Sequence, residues 1–218
     1  MKINPIKIAV VTSLVLLGSQ LGYSQGTFQN LDFESPVPPF IEDLFSQVPI
    51  TNALPGWTGY LNGTRVDRVL YDNLNLSGPS ISLWDSLIPS FQPIQGSYSV
   101  YLKSFSDHGG TIAAIGQTGQ IPNDAFSLFF LRAPQTGFNV SFGGQPISLV
   151  QFGTAGNNII MAGDISRFAG QTAELLFVGQ GVFDDIQFSN QAIPEPSVLG
   201  LSVIGGLLLA WRRWRKRP

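Results

Sequence analysis

The sequence predicts an all-β, antiparallel sandwich flanked by an N-terminal signal peptide and one C-terminal hydrophobic helix. Three observations carry this. Ten short runs rich in β-branched and aromatic residues recur between Gly, Asn and Pro punctuation. No amphipathic helix of ordinary length lies between residues 25 and 190, which excludes α/β architectures. An uncharged apolar run closes the chain and is backed by a basic cluster.

In chain order, Lys2 and Lys7 make a positive start, and Ile8 to Leu17 is apolar apart from Thr12 and Ser13. Gly22 and Ser24 then place small residues where a signal peptidase reads. Residues 1–24 therefore read as a Sec signal peptide cut before Gln25, with an uncleaved anchor as the alternative. The predicted strands follow at Thr27–Phe33, Val66–Tyr71, Ser80–Trp84, Ser97–Leu102, Thr111–Gln117, Ala125–Leu131, Phe138–Phe142, Pro146–Phe152, Ala173–Val178 and Phe183–Phe188. Within Ser97–Leu102, Tyr98, Val100 and Leu102 share one face because strand side chains alternate. The proline-rich segment from Pro36 to Leu54 reads as a long loop, and Gly143-Gly144 between two runs is the strongest hairpin signal. In Asp164–Phe177, Asp164 or Ser166 caps one helical turn, Phe168 plugs the core and Gly170 permits a left-handed exit into a strand.

From Ser197 to Trp211 there is no charge, and a helix of that length spans roughly 22 Å. That is short for a bilayer core of about 30 Å. Trp211 and Trp214 suit the interface, and the stems of Arg212, Arg213, Arg215, Lys216 and Arg217 can snorkel into headgroups. The positive-inside rule then keeps the C-terminus cytoplasmic and the bulk of the protein outside. A core helix and a nucleic-acid-binding tail are the competing readings of this segment; its terminal position and the adjoining apolar run weigh against them.

Between residues 25 and 193 five basic residues face thirteen acidic ones, a formal net charge of −8. Such a surface disfavours nucleic acid and leaves cations and neutral glycans as partners. Sixteen Phe, with Trp57 and Trp84, supply a buried core, and about 170 residues suffice for one domain. With no cysteine, stability comes from packing or a bound ion, and thiol chemistry is absent. Catalytic residues are not evident. The single histidine, His108, sits in the Gly-rich run Ser106–Gly110, and no phosphate loop, His-rich metal site or nucleophile elbow is present.

Pro194, Glu195 and Pro196, followed by the apolar run and the Arg-rich end, closely resemble the PEP-CTERM sorting signal of exported bacterial surface proteins. The resemblance covers residues 191–218 and implies an exosortase-type processing enzyme as partner. It also implies transient anchoring in the inner membrane, then release to the cell surface or extracellular polymer. A second resemblance spans residues 25–190. Asn30–Glu34, Leu54–Trp57, Gly96–Leu102, Asp164–Phe177 and Phe183–Phe188 look like the galactose-binding-like jelly roll of many carbohydrate-binding modules.

That second resemblance implies that first and last strands pair and that their acidic residues meet near calcium. Asp32 and Glu34, with Asp184 and Asp185, match the pattern. Strand alternation cannot present Asp184 and Asp185 equally, and with Phe183 between the sheets Asp185 points inward, where it needs a partner. A structural calcium ion is one such partner; backbone amides or Arg are others. No cofactor is otherwise required. For glycan recognition, Trp57, Tyr60 and Trp84 lie in or beside predicted loops, either as sugar platforms or, for Trp57 after Pro-Gly, as a core residue. The expected role is a non-enzymatic structural or adhesive one at the cell surface, with a lectin-like module for extracellular polysaccharide as the alternative.

Overall fold

The structure, a computed structural model, describes residues 25–38, 46–87, 92–105 and 110–193. The expected signal peptide, His108, the Pro194-Glu195-Pro196 motif, the C-terminal helix and its basic cluster lie outside the described residues. Among the described residues no helix is long and apolar enough to cross a membrane.

The described chain is mostly strand: β1 (Gln47–Pro49), β2 (Thr58–Leu61), β3 (Thr64–Val66), β4 (Arg68–Tyr71), β5 (Ser80–Asp85), β6 (Tyr98–Lys103), β7 (Ala113–Gln120), β8 (Ser127–Arg132), β9 (Gly137–Phe142), β10 (Gln145–Ile147), β11 (Leu149–Ala155), β12 (Asn158–Asp164) and β13 (Thr172–Ser189). One sheet runs β1-β4-β5-β6-β13-β8-β12-β11 and the other β3-β2-β7-β13-β9-β10. β13 belongs to both. Its first half pairs β7 and β9, and its second half pairs β6 and β8. Sequence reading splits this element at Gly179-Gln180-Gly181. The chain instead carries one strand around the corner between sheets, a place where glycine permits a bend. Gly181 has φ +128, and a Cβ there would lie 2.1 Å from Thr136 Cγ2.

The two sheets face each other across an aromatic core. Phe130 of β8 meets Phe177 of β13 edge-on at 5.3 Å, and Phe138 of β9 lies 4.9 Å from Phe183. Phe177 and Phe183, both fully buried, stack at 5.0 Å. These are the inward positions of period-two strands, as alternation requires. In β6, Val100 and Leu102 are fully buried and Tyr98 packs on the same core.

Four local expectations are corrected. Residues 27–33 form turns, because Asn30 and Phe33 adopt φ of +51 and +55. The Gln117 side chain supplies the pairing a strand would give, accepting from the Gln29 N–H at 2.6 Å and donating to the Gln29 carbonyl at 2.9 Å. The predicted strand Pro146–Phe152 divides, with β10 in one sheet and β11 in the other. The Pro36–Leu54 segment holds β1 and one helical turn, α1 (Ile50–Ala53). Pairing is also not wholly antiparallel, since β4 and β5 run parallel, Leu70 opposite Ser82.

Two turn readings hold. Gly143 and Gly144 (φ +55 and +76) connect β9 to β10. Asp164 Oδ1 accepts from the Ser166 N–H at 2.8 Å and starts a 3-10 turn, Ser166–Phe168, whose Phe168 is buried. Gly170 then takes φ +74 before β13.

Candidate binding groove

The site begins with a bulge in β13. The ladder with β8 pairs Asp184 with Leu131 and then Gln187 with Phe129, so one strand advances three residues while the other advances two. Asp185 absorbs the extra residue at φ +51. A bulge re-aims side chains and is common beside functional sites. Phe183, Ile186 and Phe188 all remain buried, while Asp184 and Gln187 share the outer face with their β8 partners. Asp185 therefore opens outward, and the inward placement expected from simple alternation is corrected.

On that outer face lies a cleft of about 510 Å³. Phe129 and Leu131 of β8 and Ile160 of β12 line it, with Phe152 of β11, half exposed, at its rim. Phe129 and Phe152 meet edge-on at 5.1 Å, which holds one ring against the other. Asp185 and Gln187 add polar groups, and the Gln187 amide donates to Asp185 Oδ1 at 2.6 Å. An ionised carboxylate has acceptor sites beyond that one bond. Gln95 belongs to the remaining lining, as do Gln191 and Ala192, which lead toward the tail.

Asp184 anchors the segment that contributes Gln95. It is 1% exposed. Its Oδ2 accepts from Ser99 Oγ at 2.5 Å and from the Gln95 N–H at 3.3 Å, and its Oδ1 from the Asp185 N–H at 2.7 Å. Ser99 Oγ in turn accepts from the Ile94 N–H at 2.8 Å. Burial pushes the Asp184 carboxyl up to about 7 against the pull of these donors, with the Asp185 charge adding to the rise. Glu34 holds the same segment from the other side. Its Oε1 accepts from the N–H groups of Ser97 and Tyr98 at 2.8 and 2.9 Å, over Gly96, where a Cβ would meet that oxygen at 2.2 Å.

The residues expected to read sugars are not brought together. Trp57 is a core residue, 4% exposed, whose Nε1 donates to the Asn30 carbonyl at 2.9 Å. Trp84 is buried and stacks on Tyr101 at 4.6 Å. Tyr60, on the other sheet, donates its hydroxyl to Glu174 Oε1 at 2.7 Å, which holds the phenol above its ordinary range. Nor do Asp32, Glu34 and Asp185 converge. Among the described residues no group of three or more His, Cys, Asp or Glu is placed to hold a metal. The physical reason is the missing first strand: a single backbone bond, from the Ile186 N–H to the Leu31 carbonyl at 3.0 Å, ties this segment to β13, and no ladder extends it to set the Asp32 and Asp185 side chains together.

Sequence reasoning overlooked Phe129, Phe152 and Gln187. A signal was present, since the buried positions Phe183, Ile186 and Phe188 are spaced three and then two, the signature of one inserted residue. The chemistry the groove can perform is binding, with aromatic faces below and an acceptor and amides at the side. No family model, no curated protein and no solved structure matches this chain, so this reading stands on the chain's own residues.

Proposed function

We propose that this chain is an exported surface protein with a non-enzymatic adhesive role, exercised by binding neutral extracellular polysaccharide in the groove on the outer face of β8, β11, β12 and β13. Residues 1–24 direct export, and the jelly-roll ectodomain acts outside the cell. The PEP-CTERM-like tail from residue 191 holds the chain in the membrane until an exosortase-type enzyme processes it near Pro194-Glu195-Pro196. The groove carries the binding part of this reading. Phe129 and Phe152 offer apolar faces of the kind sugar rings stack on, and Asp185, Gln187 and Gln95 offer acceptors and donors for hydroxyls. The acidic surface supports a neutral polymer over an anionic one.

Retention of the full chain on immobilised neutral polysaccharides tests it. Phe152→Ala and Asp185→Asn should each reduce retention about tenfold or more, the effect of losing one aromatic or hydrogen-bonding contact worth ~1.4 kcal/mol. Undiminished retention in both variants removes the groove from the reading. Deleting residues 194–218 should release the protein to the medium or periplasm, and continued surface attachment would remove the sorting role.

A further inference from the structure

A sheet edge with no neighbour offers unpaired N–H and C=O groups to another strand, and proteins blunt such edges with short strands, charges and prolines. Among the described residues four strands end the two sheets. β1, β3 and β10 are three residues long, and they carry Pro49, Arg65 and Pro146 respectively. β11 has none of these three, and its one protection is a bulge. It runs seven residues, among the described residues pairs only β12, and no charged residue or proline occurs from Ser148 to Asn158. Its Val150 and Phe152 are 43% and 50% exposed. One bulge, between Gln151 and Gly153, interrupts the strand and leaves three residues extended on either side.

We propose that β11 is a self-association edge, where a second copy of this chain adds its own β11 antiparallel and continues the sheet across a twofold axis. Chemistry selects this occupant. Antiparallel self-pairing sets a strand against itself, so any charge near its centre faces a like charge, which destabilises the pair. β11 is free of charge along its whole length, and its β-branched and aromatic residues favour cross-strand contact. A twofold contact of this kind closes on itself and gives a dimer instead of a filament. With the axis normal to the sheet, both outer faces point the same way and the two grooves open side by side. One polymer chain then meets two sites, and the second engagement becomes intramolecular. The edge pairing itself does not depend on what the groove binds.

The natural chain has no cysteine, so one introduced thiol reports one position. Gln151→Cys and Thr154→Cys in the full chain, treated with a short bismaleimide, should give covalent dimer at concentrations where Thr64→Cys on β3 and Gln145→Cys on β10 stay monomeric. Adding Val150→Lys, at an exposed position where the circular dichroism spectrum should stay unchanged, should cut dimer yield about tenfold through like-charge opposition and its lost contact. Because the exported segment is strongly acidic, yield should also rise with salt. Equal yields at the three edges, no dimer through β11, or a yield indifferent to Val150→Lys each overturns the proposal. Association through the apolar run of residues 197–211 alone would survive Val150→Lys without producing β11-specific cross-links.

Discussion

Replacing Asp184 by Asn should abolish a pH dependence of stability that the buried carboxyl imposes. In the unfolded chain this group titrates near 3.8, and in the folded one at about 7. Between those values the native state holds a proton the unfolded state has lost, so stability is full below pH 4 and falls as pH rises through 7. At 1.36 kcal/mol per pH unit, the loss across the window is roughly 4 kcal/mol. The amide cannot ionise, so the variant should be flat where the wild type slopes. Its gain at pH 8 is smaller than the whole window, because the amide NH₂ faces the donor of Gln95 and replaces a carboxylate that also accepted from Ser99 and Asp185, at a cost of about 1–2 kcal/mol. Asp164 does not blur the result: the Ser166 N–H holds its carboxyl below the ordinary range, so its contribution is present at higher pH and is lost only as pH falls below about 4. Chemical denaturation of both proteins at pH steps from 4.5 to 8, followed by circular dichroism, measures the two slopes. A wild type whose stability is level or rising over that range refutes the reasoning, as does an Asn variant that keeps the wild-type slope.

Two further substitutions separate scaffold from surface. Trp57→Ala should cost roughly 3–5 kcal/mol of stability, since it empties a core position packed against Phe33 and Phe177 and leaves the Asn30 carbonyl only its 3.4 Å bond from the Phe33 N–H; a variant with wild-type stability and selectively lost glycan retention would return Trp57 to the binding role. Gly181→Ala should cost at least the roughly 1–3 kcal/mol that strained backbone carries and so lower the midpoint of thermal unfolding, because Thr136 occupies the space of the new methyl. An unchanged midpoint would show that β13 turns its corner without needing glycine there.

How much of this was legible in the residues differs by element. The hairpin at Gly143-Gly144 was legible because two adjacent residues at positive φ specify their own turn. Asn62-Gly63 carries an equally strong signal, with φ of +52 and +76 between β2 and β3. Thr58–Leu61 beside it is too short and polar to stand out as a strand, so the turn lacks a flanking pattern. β12 hides in the same way, its apolar centre Ile159-Ile160-Met161 lying between Asn158 and Gly163.

The sequence by itself determined the β character of residues 25–193, the inward positions of β6, the 3-10 turn at Asp164 and the absence of thiol chemistry. Each depends on alternation, on turn residues or on composition, which act within a few neighbours. Tertiary structure alone decided that β13 serves both sheets, that residues 27–33 pair through the Gln117 side chain, that Trp57 lies inside, and that a bulge turns Asp185 toward Phe129 and Phe152. Those outcomes depend on which distant strand lies alongside and in what register. A one-residue slip there reverses every side chain, and no local pattern contains that information.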